Sequence, residues 1–164
     1  MTKETNKNLA INGGEKTILK EFTKYNPIGK EEVEAAKCVI ESGLLSGYIA
    51  RWGPHFYGGP KVKEFEKMWQ NYFDVKYAIT VNSWTSGLIA AVGAIGIEPG
   101  DEVIVPPWTM CATATSILHW NGIPVFADID EDTFCISPAS IEKNISKNTR
   151  AIISVDIGGH PADT

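Results

Sequence analysis

Apolar residues follow one rhythm before residue 77 and another after it. In the first part they recur at helical spacing. Val33, Ala36, Val39 and Ile40 share one face of Lys30–Ser42, and Gly43 ends that helix. Pro60 opens a second helix running through Phe73, with Val62, Phe65, Trp69 and Tyr72 on one side. In the second part, short β-branched runs alternate with longer helical ones. Strands are predicted at Tyr77–Val81, Glu102–Val105, Pro124–Ala127 and Ala151–Val155. Helices are predicted at Ser86–Ile97, Thr109–Trp120 and Pro138–Ile145. The first of these is apolar enough to be expected buried. Asn121-Gly122 stops the second, and Ser137 caps the third.

From residue 77 the order is β-α-β-α-β-α-β. This predicts an α/β fold, a mainly parallel sheet flanked by helices. Ligands of such sheets gather at the carboxyl ends of the strands. Segments 82–87, 106–111 and 156–160 each follow a predicted strand, so they are expected at one rim. The chain reads as an N-terminal segment (1–29), a helical and loop segment (30–76) and a partial α/β domain (77–164). Residues 43–59 are rich in glycine and aromatics and read as a long irregular loop. Its Trp52, His55, Phe56 and Tyr57 suit either a sugar or another subunit. Residues 158–164 form a loop where a crossover helix should begin, so the sheet is expected to be truncated at its C-terminal end.

Composition narrows the function classes. The formal charge of −5 argues against a nucleic-acid surface, which would need a basic stripe. No apolar run reaches the roughly 20 residues that span a bilayer. The N-terminus lacks the apolar core of a signal peptide, so a cytoplasmic location is expected. Cys38, Cys111 and Cys135 are odd in number and far apart, and read as buried free thiols. His55, His119 and His160 show no ligand spacing, and no metal is expected.

The candidate chemistry centres on Asn82–Gly87, where a strand hands over to a helix. Free backbone N–H groups, a positive helix end and hydroxyls meet there, which suits a phosphate. Thr85 and Ser86 carry that reading, and a polar helix cap is the competing one. GxGxxG, GxxxxGK[ST] and GxSxG are all absent, which disfavours a dinucleotide fold, a P-loop and a hydrolase elbow. Trp108 and Met110 follow the second strand and suit either a flat ring or the core. Asp128, Asp130, Glu131 and Asp132 crowd one turn, and a solvated turn is favoured there over a cation site. Asp156 and His160 lie near a strand end and by themselves say little about acid–base work.

Several stretches, in order, resemble the DegT/DnrJ/StrS family of sugar aminotransferases over residues 12–163. They are Gly13-Gly14; Ser42-Gly43; Gly59-Pro60-Lys61-Val62 with Phe65-Glu66; and Tyr77-Ala78-Ile79-Thr80-Val81-Asn82-Ser83. Next comes the run from Gly96 through Pro106, then Thr109 with Ala112-Thr113-Ala114. Pro124 through Asp130 follows, and last Gly159 with Pro161-Ala162-Asp163. The resemblance implies an incomplete three-layer large domain of fold type I and the cofactor pyridoxal phosphate. It places the cofactor phosphate on Trp84, Thr85 and Ser86. The ring-packing residue falls at Met110, where the family usually has an aromatic, or at Trp108 on the other side of Thr109. Trp84 takes a place usually held by a small residue, and Asp156 one that is commonly His.

The resemblance also implies an acid for the pyridine nitrogen and a Schiff-base lysine, both further along than Thr164. No catalytic residue is therefore expected in this chain, and alone it is expected to be inactive. The intact protein would move an amino group from glutamate or glutamine to a keto sugar, often nucleotide-linked, or to a cyclic ketone, as a homodimer without membrane or nucleic-acid partners. The alternatives are a non-catalytic ligand-binding or assembly module and a dehydratase relative that uses the same cofactor.

Overall fold

The computed structural model describes residues 9–45 and 51–163. They fall into two compact units, one ending at Phe65 and the other beginning at Glu66.

In the first unit, α1 (Lys30–Ser42) forms where the periodicity predicts it. Glu31 and Glu32 sit in its first turn, where negative charge meets the positive helix end. The Glu32 carboxylate accepts the Gly29 amide at 2.7 Å, and that bond holds its pKa below the ordinary value. Gly43 closes the helix at φ 69°, the left-handed region that glycine enters without strain. Among the described residues the apolar face of α1 stays exposed: Val33 is 61% exposed and Ile40 67%. The loop predicted at 43–59 lies partly outside the described residues, at 46–50. Over 51–58 the chain makes two successive turns, with Phe56 N–H on the Gly53 carbonyl and Gly58 N–H on that of His55. Trp52 stacks on Phe56 at 4.2 Å, and Tyr57 meets both edge-on. The ammonium of Lys63 pins this loop through the Pro54 carbonyl. Helix α2 (Pro60–Phe73) has the predicted bounds.

The second unit is built on a parallel sheet of order β2-β1-β3. Its strands are β1 (Glu102–Val105), β2 (Ile123–Phe126) and β3 (Thr149–Ile152). The helices are α3 (Trp84–Ala94), α4 (Ala112–Leu118) and α5 (Pro138–Asn144). The central strand β1 sends alternate side chains to opposite faces. Val103 and Val105 pack with Val92, Ile97 and Ile117 on one face. Ile104 packs with Ala127 and Ile136 on the other, with Ile141 of α5 against them. Both faces of the central strand are thus covered, while Ile123 and Phe126 of β2 and Ile152 of β3 stay exposed, so the expected cover on both faces holds only at the centre of the sheet.

Several expectations are corrected. Tyr77–Val81 is not a strand. A strand needs a ladder partner, and no described backbone supplies one. The segment is held instead by Glu66, whose carboxylate accepts both the amide and the hydroxyl of Thr80. Helix α3 begins at Trp84 rather than Ser86, because the Ser83 hydroxyl accepts the Ser86 amide and caps it. Only Val92 of that helix is buried, so the expectation of a buried helix fails. The helix rests on α4 and, through Val92, on β1, while Ala90, Ala91 and Ala94 are exposed. Helix α4 starts at Ala112 rather than Thr109, since residues 107–109 bend after Pro106. Strand β3 begins at Thr149 rather than Ala151, because the Glu102 amide already reaches the Asn148 carbonyl. Of the three thiols expected to be buried, Cys38 and Cys111 are exposed and only Cys135 is buried.

Asp101 ties the turn before β1 to β3. Its carboxylate accepts the Glu98 amide at 3.0 Å and the Arg150 Nε–H at 3.1 Å. Both interactions, the Glu98 amide foremost, hold its pKa below the ordinary 3.8. A carboxyl depressed in the folded state stabilises it above the unfolded pKa and loses that contribution as pH falls through the folded one. Urea unfolding is therefore expected to show a smaller midpoint loss for Asp101→Asn than for the wild type between pH 7 and about pH 3. Equal acid losses in the two proteins would refute the linkage.

Candidate functional site

The three segments expected at one rim do converge. A cavity of about 650 Å³ opens at the carboxyl ends of β1 and β3. Trp84, Thr85 and Leu88 wall it from the start of α3, and Thr109, Met110, Ala112 and Thr113 from the connection into α4. Residues 153–157, following β3, complete it.

The sequence builds the α3 side through its cap. Ser83 Oγ accepts the Ser86 amide, and the Ser83 carbonyl accepts that of Gly87. The amides of Trp84 and Thr85 are left with no hydrogen-bond partner among the described residues. They sit at the positive end of an 11-residue helix whose first turn carries no acidic side chain. The Trp84 ring leans over the helix: a side chain at Gly87 would stand 3.0 Å from its Cε3 atom. Thr85 lines the cavity, whereas Ser86 does not. The Ser86 hydroxyl lies 3.1 Å from that of Ser83, so its polar atoms serve the cap.

On the facing side, Met110 lines the cavity and is 75% exposed. Trp108 does not line it and stands tilted against Phe134, ring centroids 6.1 Å apart. Asp156 is the one ionisable side chain in the wall among the described residues, and its carboxylate accepts the Ala162 amide at 3.0 Å. His160 is not in the wall; its carbonyl accepts the Cys135 thiol. The sequence reading passed over the pair formed by Thr109 and Thr113, whose hydroxyl oxygens lie 2.8 Å apart. The available signal was the spacing of four residues at a helix entry.

This donor set fits a phosphate monoester attached to a flat ring. Trp84 and Thr85, whose amides are free among the described residues, line the cavity at a helix N-terminus, which favours an anion without any lysine or arginine. Met110 offers a polarisable thioether, which packs well on an aromatic face. The acidic turn is different. Asp130 Oδ1 already accepts the amides of Asp132 and Thr133 and the Thr133 hydroxyl. Those bonds hold its pKa below the ordinary value, the Thr133 amide foremost. No cluster of metal-ligating side chains occurs among the described residues. Among them, too, no helix is long and apolar enough to cross a membrane.

Comparison with known proteins identifies the family. The model of the DegT/DnrJ/EryC1/StrS aminotransferase family matches residues 48–164. The spore coat polysaccharide biosynthesis protein SpsC of Bacillus subtilis is 43% identical over 136 residues, covering 83% of this chain and 32% of that protein. The L-glutamine:2-deoxy-scyllo-inosose aminotransferase of Streptomyces fradiae is 33% identical over 155 residues, 94% of this chain and 36% of that protein. Among solved structures, NtdA of Bacillus subtilis with bound cofactor PMP superposes with a TM-score of 0.71 at 32% identity, over 88% of this chain and 33% of that one. The chain thus spans about a third of the length of these relatives.

Proposed function

The chain belongs to the DegT/DnrJ/EryC1/StrS aminotransferase family, its sheet is part of a fold type I domain, and we propose from this that its rim cavity holds pyridoxal phosphate. The reaction we assign is amino transfer from glutamate or glutamine to a keto sugar or cyclic ketone. The observation that carries the assignment is the meeting of Trp84 and Thr85, at the start of α3, with Met110 in one cavity. The named relatives support the substrate class: one takes L-glutamine and a scyllo-inosose, another serves polysaccharide biosynthesis.

Pyridoxal phosphate, when bound, supplies an electrophilic carbonyl and a ring that takes up the electron pair released in the exchange. The chain's own residues bind and orient it. The amides of Trp84 and Thr85 and the Thr85 hydroxyl hold the phosphate. Ser86 acts through the Ser83 cap, which keeps those amides aligned. Met110 packs on the ring, a role Trp108 does not take while it lies against Phe134. Homodimerisation and a cytoplasmic location complete the proposal. The uncovered apolar side chains of α1 support the first, since faces of that kind mark interaction surfaces.

The test is a titration of the protein carrying this chain with pyridoxal phosphate, followed by quenching of tryptophan fluorescence. Thr85→Val is expected to weaken binding about 10-fold or more, the usual cost of losing a hydrogen bond to a charged group. Unchanged affinity in that variant, or no binding by the wild type, would overturn the assignment.

A further inference from the structure

We propose that Thr109 is a preset hydrogen-bond donor to an oxygen atom of the ligand in the rim cavity, its proton freed for that role by Thr113. The ligand class rests on the cofactor reading above; the proton direction does not. Both residues line the cavity, and their hydroxyl oxygens are 2.8 Å apart. Two hydroxyls at that distance share one proton, so the second proton must go elsewhere.

Burial decides which proton is shared. Thr113 is 4% exposed, within the first turn of α4. Thr109 is half-buried, on the bend that precedes the helix. Were Thr109 the donor, the Thr113 proton would be left on a residue only 4% exposed, with no other side-chain acceptor among the described residues. A buried O–H without an acceptor is costly. The favoured arrangement has Thr113 donating to Thr109 Oγ1 and the Thr109 proton turned to the cavity. Donation into an oxygen also polarises its own O–H, so the outward proton is the stronger for it.

The helix fixes the geometry. The Thr113 amide bonds to the Met110 carbonyl at 3.0 Å, which locks the turn carrying Thr109 and Met110 onto α4. The donor is thus in place before a ligand arrives. Its chemistry suits an anionic or carbonyl oxygen lying beside the Met110 thioether.

The experiment compares Thr109→Val, Thr109→Ser and Thr113→Val in the protein carrying this chain. It uses two readouts, ligand-free thermal unfolding and the dissociation constant for pyridoxal phosphate. Thr109→Val is expected to weaken binding about 10-fold and Thr109→Ser to restore it, while Thr113→Val changes it by less than about 3-fold. Without ligand, Thr109→Val is expected to lower Tm more than Thr113→Val does, because it strands the buried hydroxyl. Equal affinity losses in both valine variants, or no rescue by serine, would overturn the donor role. The reverse Tm order would show that the Thr113 hydroxyl does not depend on Thr109 and would overturn the burial argument behind the proton direction. A wild type that binds no pyridoxal phosphate would overturn the cofactor reading and the ligand class with it, and the Tm order would still test that argument.

Discussion

Ile104→Ala is expected to lower the unfolding stability by about 2–5 kcal/mol, the largest loss from any single truncation in the sheet. Ile104 is fully buried at the middle of the central strand. Its backbone is laddered on both sides, to Val125 and to Ile152, and its carbonyl accepts the Ile153 amide. The strand therefore cannot sag into the space left by the missing carbons. Ala127 and Ile136 are buried around that space; the Ala127 amide is bonded to the Val105 carbonyl, and the residues on either side of Ile136 are bonded to Asp128 and Asp130, so the cavity stays open. Ile104→Val should cost only about 0.5–1.5 kcal/mol. Urea unfolding measures both, with an unchanged slope as the check that the unfolded state is the same. An alanine variant as stable as the valine one would show that this face is loosely packed.

Gly93→Val is expected to cost about 1–3 kcal/mol through overpacking. A Cβ atom at Gly93 would stand 2.1 Å from Cζ2 of Trp120 and 2.5 Å from its Cε2. The indole must then swing away and give up the bond from its Nε1 to the Ile89 carbonyl, 2.8 Å long. That bond is worth about 0.5–1.5 kcal/mol. Gly93→Ala meets the same clash but gains nearly 1 kcal/mol of helix propensity, so its net loss is smaller. Trp120→Ala should remove most of the penalty at Gly93. A double-mutant cycle on unfolding midpoints checks this, and additive losses would sink the clash as the cause.

Where a local signal decides an element, the sequence alone located it. Gly43 and Pro60 bound α1 and α2 as read, and β1 has its predicted ends, since Asp101 and Pro106 bracket a β-branched run. The failures are of another kind. Tyr77–Val81 alternates like a strand, yet Ile79 is 84% exposed and nothing described pairs with it. Strand formation depends on a partner far along the chain, and propensity does not report one. The start of α3 turns on which hydroxyl residue of Ser83, Thr85 and Ser86 caps it, which a run of hydroxyls leaves undecided. The convergence of the three rim segments followed from the βαβ order alone. The roles inside that rim did not, because membership of the wall depends on rotamers. Trp108 and Met110 are two residues apart, and only Met110 faces the cavity.

The pairing of β1 with β3 carries a bulge: Glu102 faces Thr149, but Val103 faces Ala151, with Arg150 as the extra residue. That irregularity sets where the chain tolerates a change in length. A residue gained or lost at position 150 is absorbed in the bulge, and the segment running on to Asp156 keeps its side-chain order. An insertion two or three residues later has no such buffer. It would turn every following side chain to the opposite face and rewrite one wall of the cavity in a single step. Drift in length among related chains should therefore collect before Ala151 and be missing between Ala151 and Asp156.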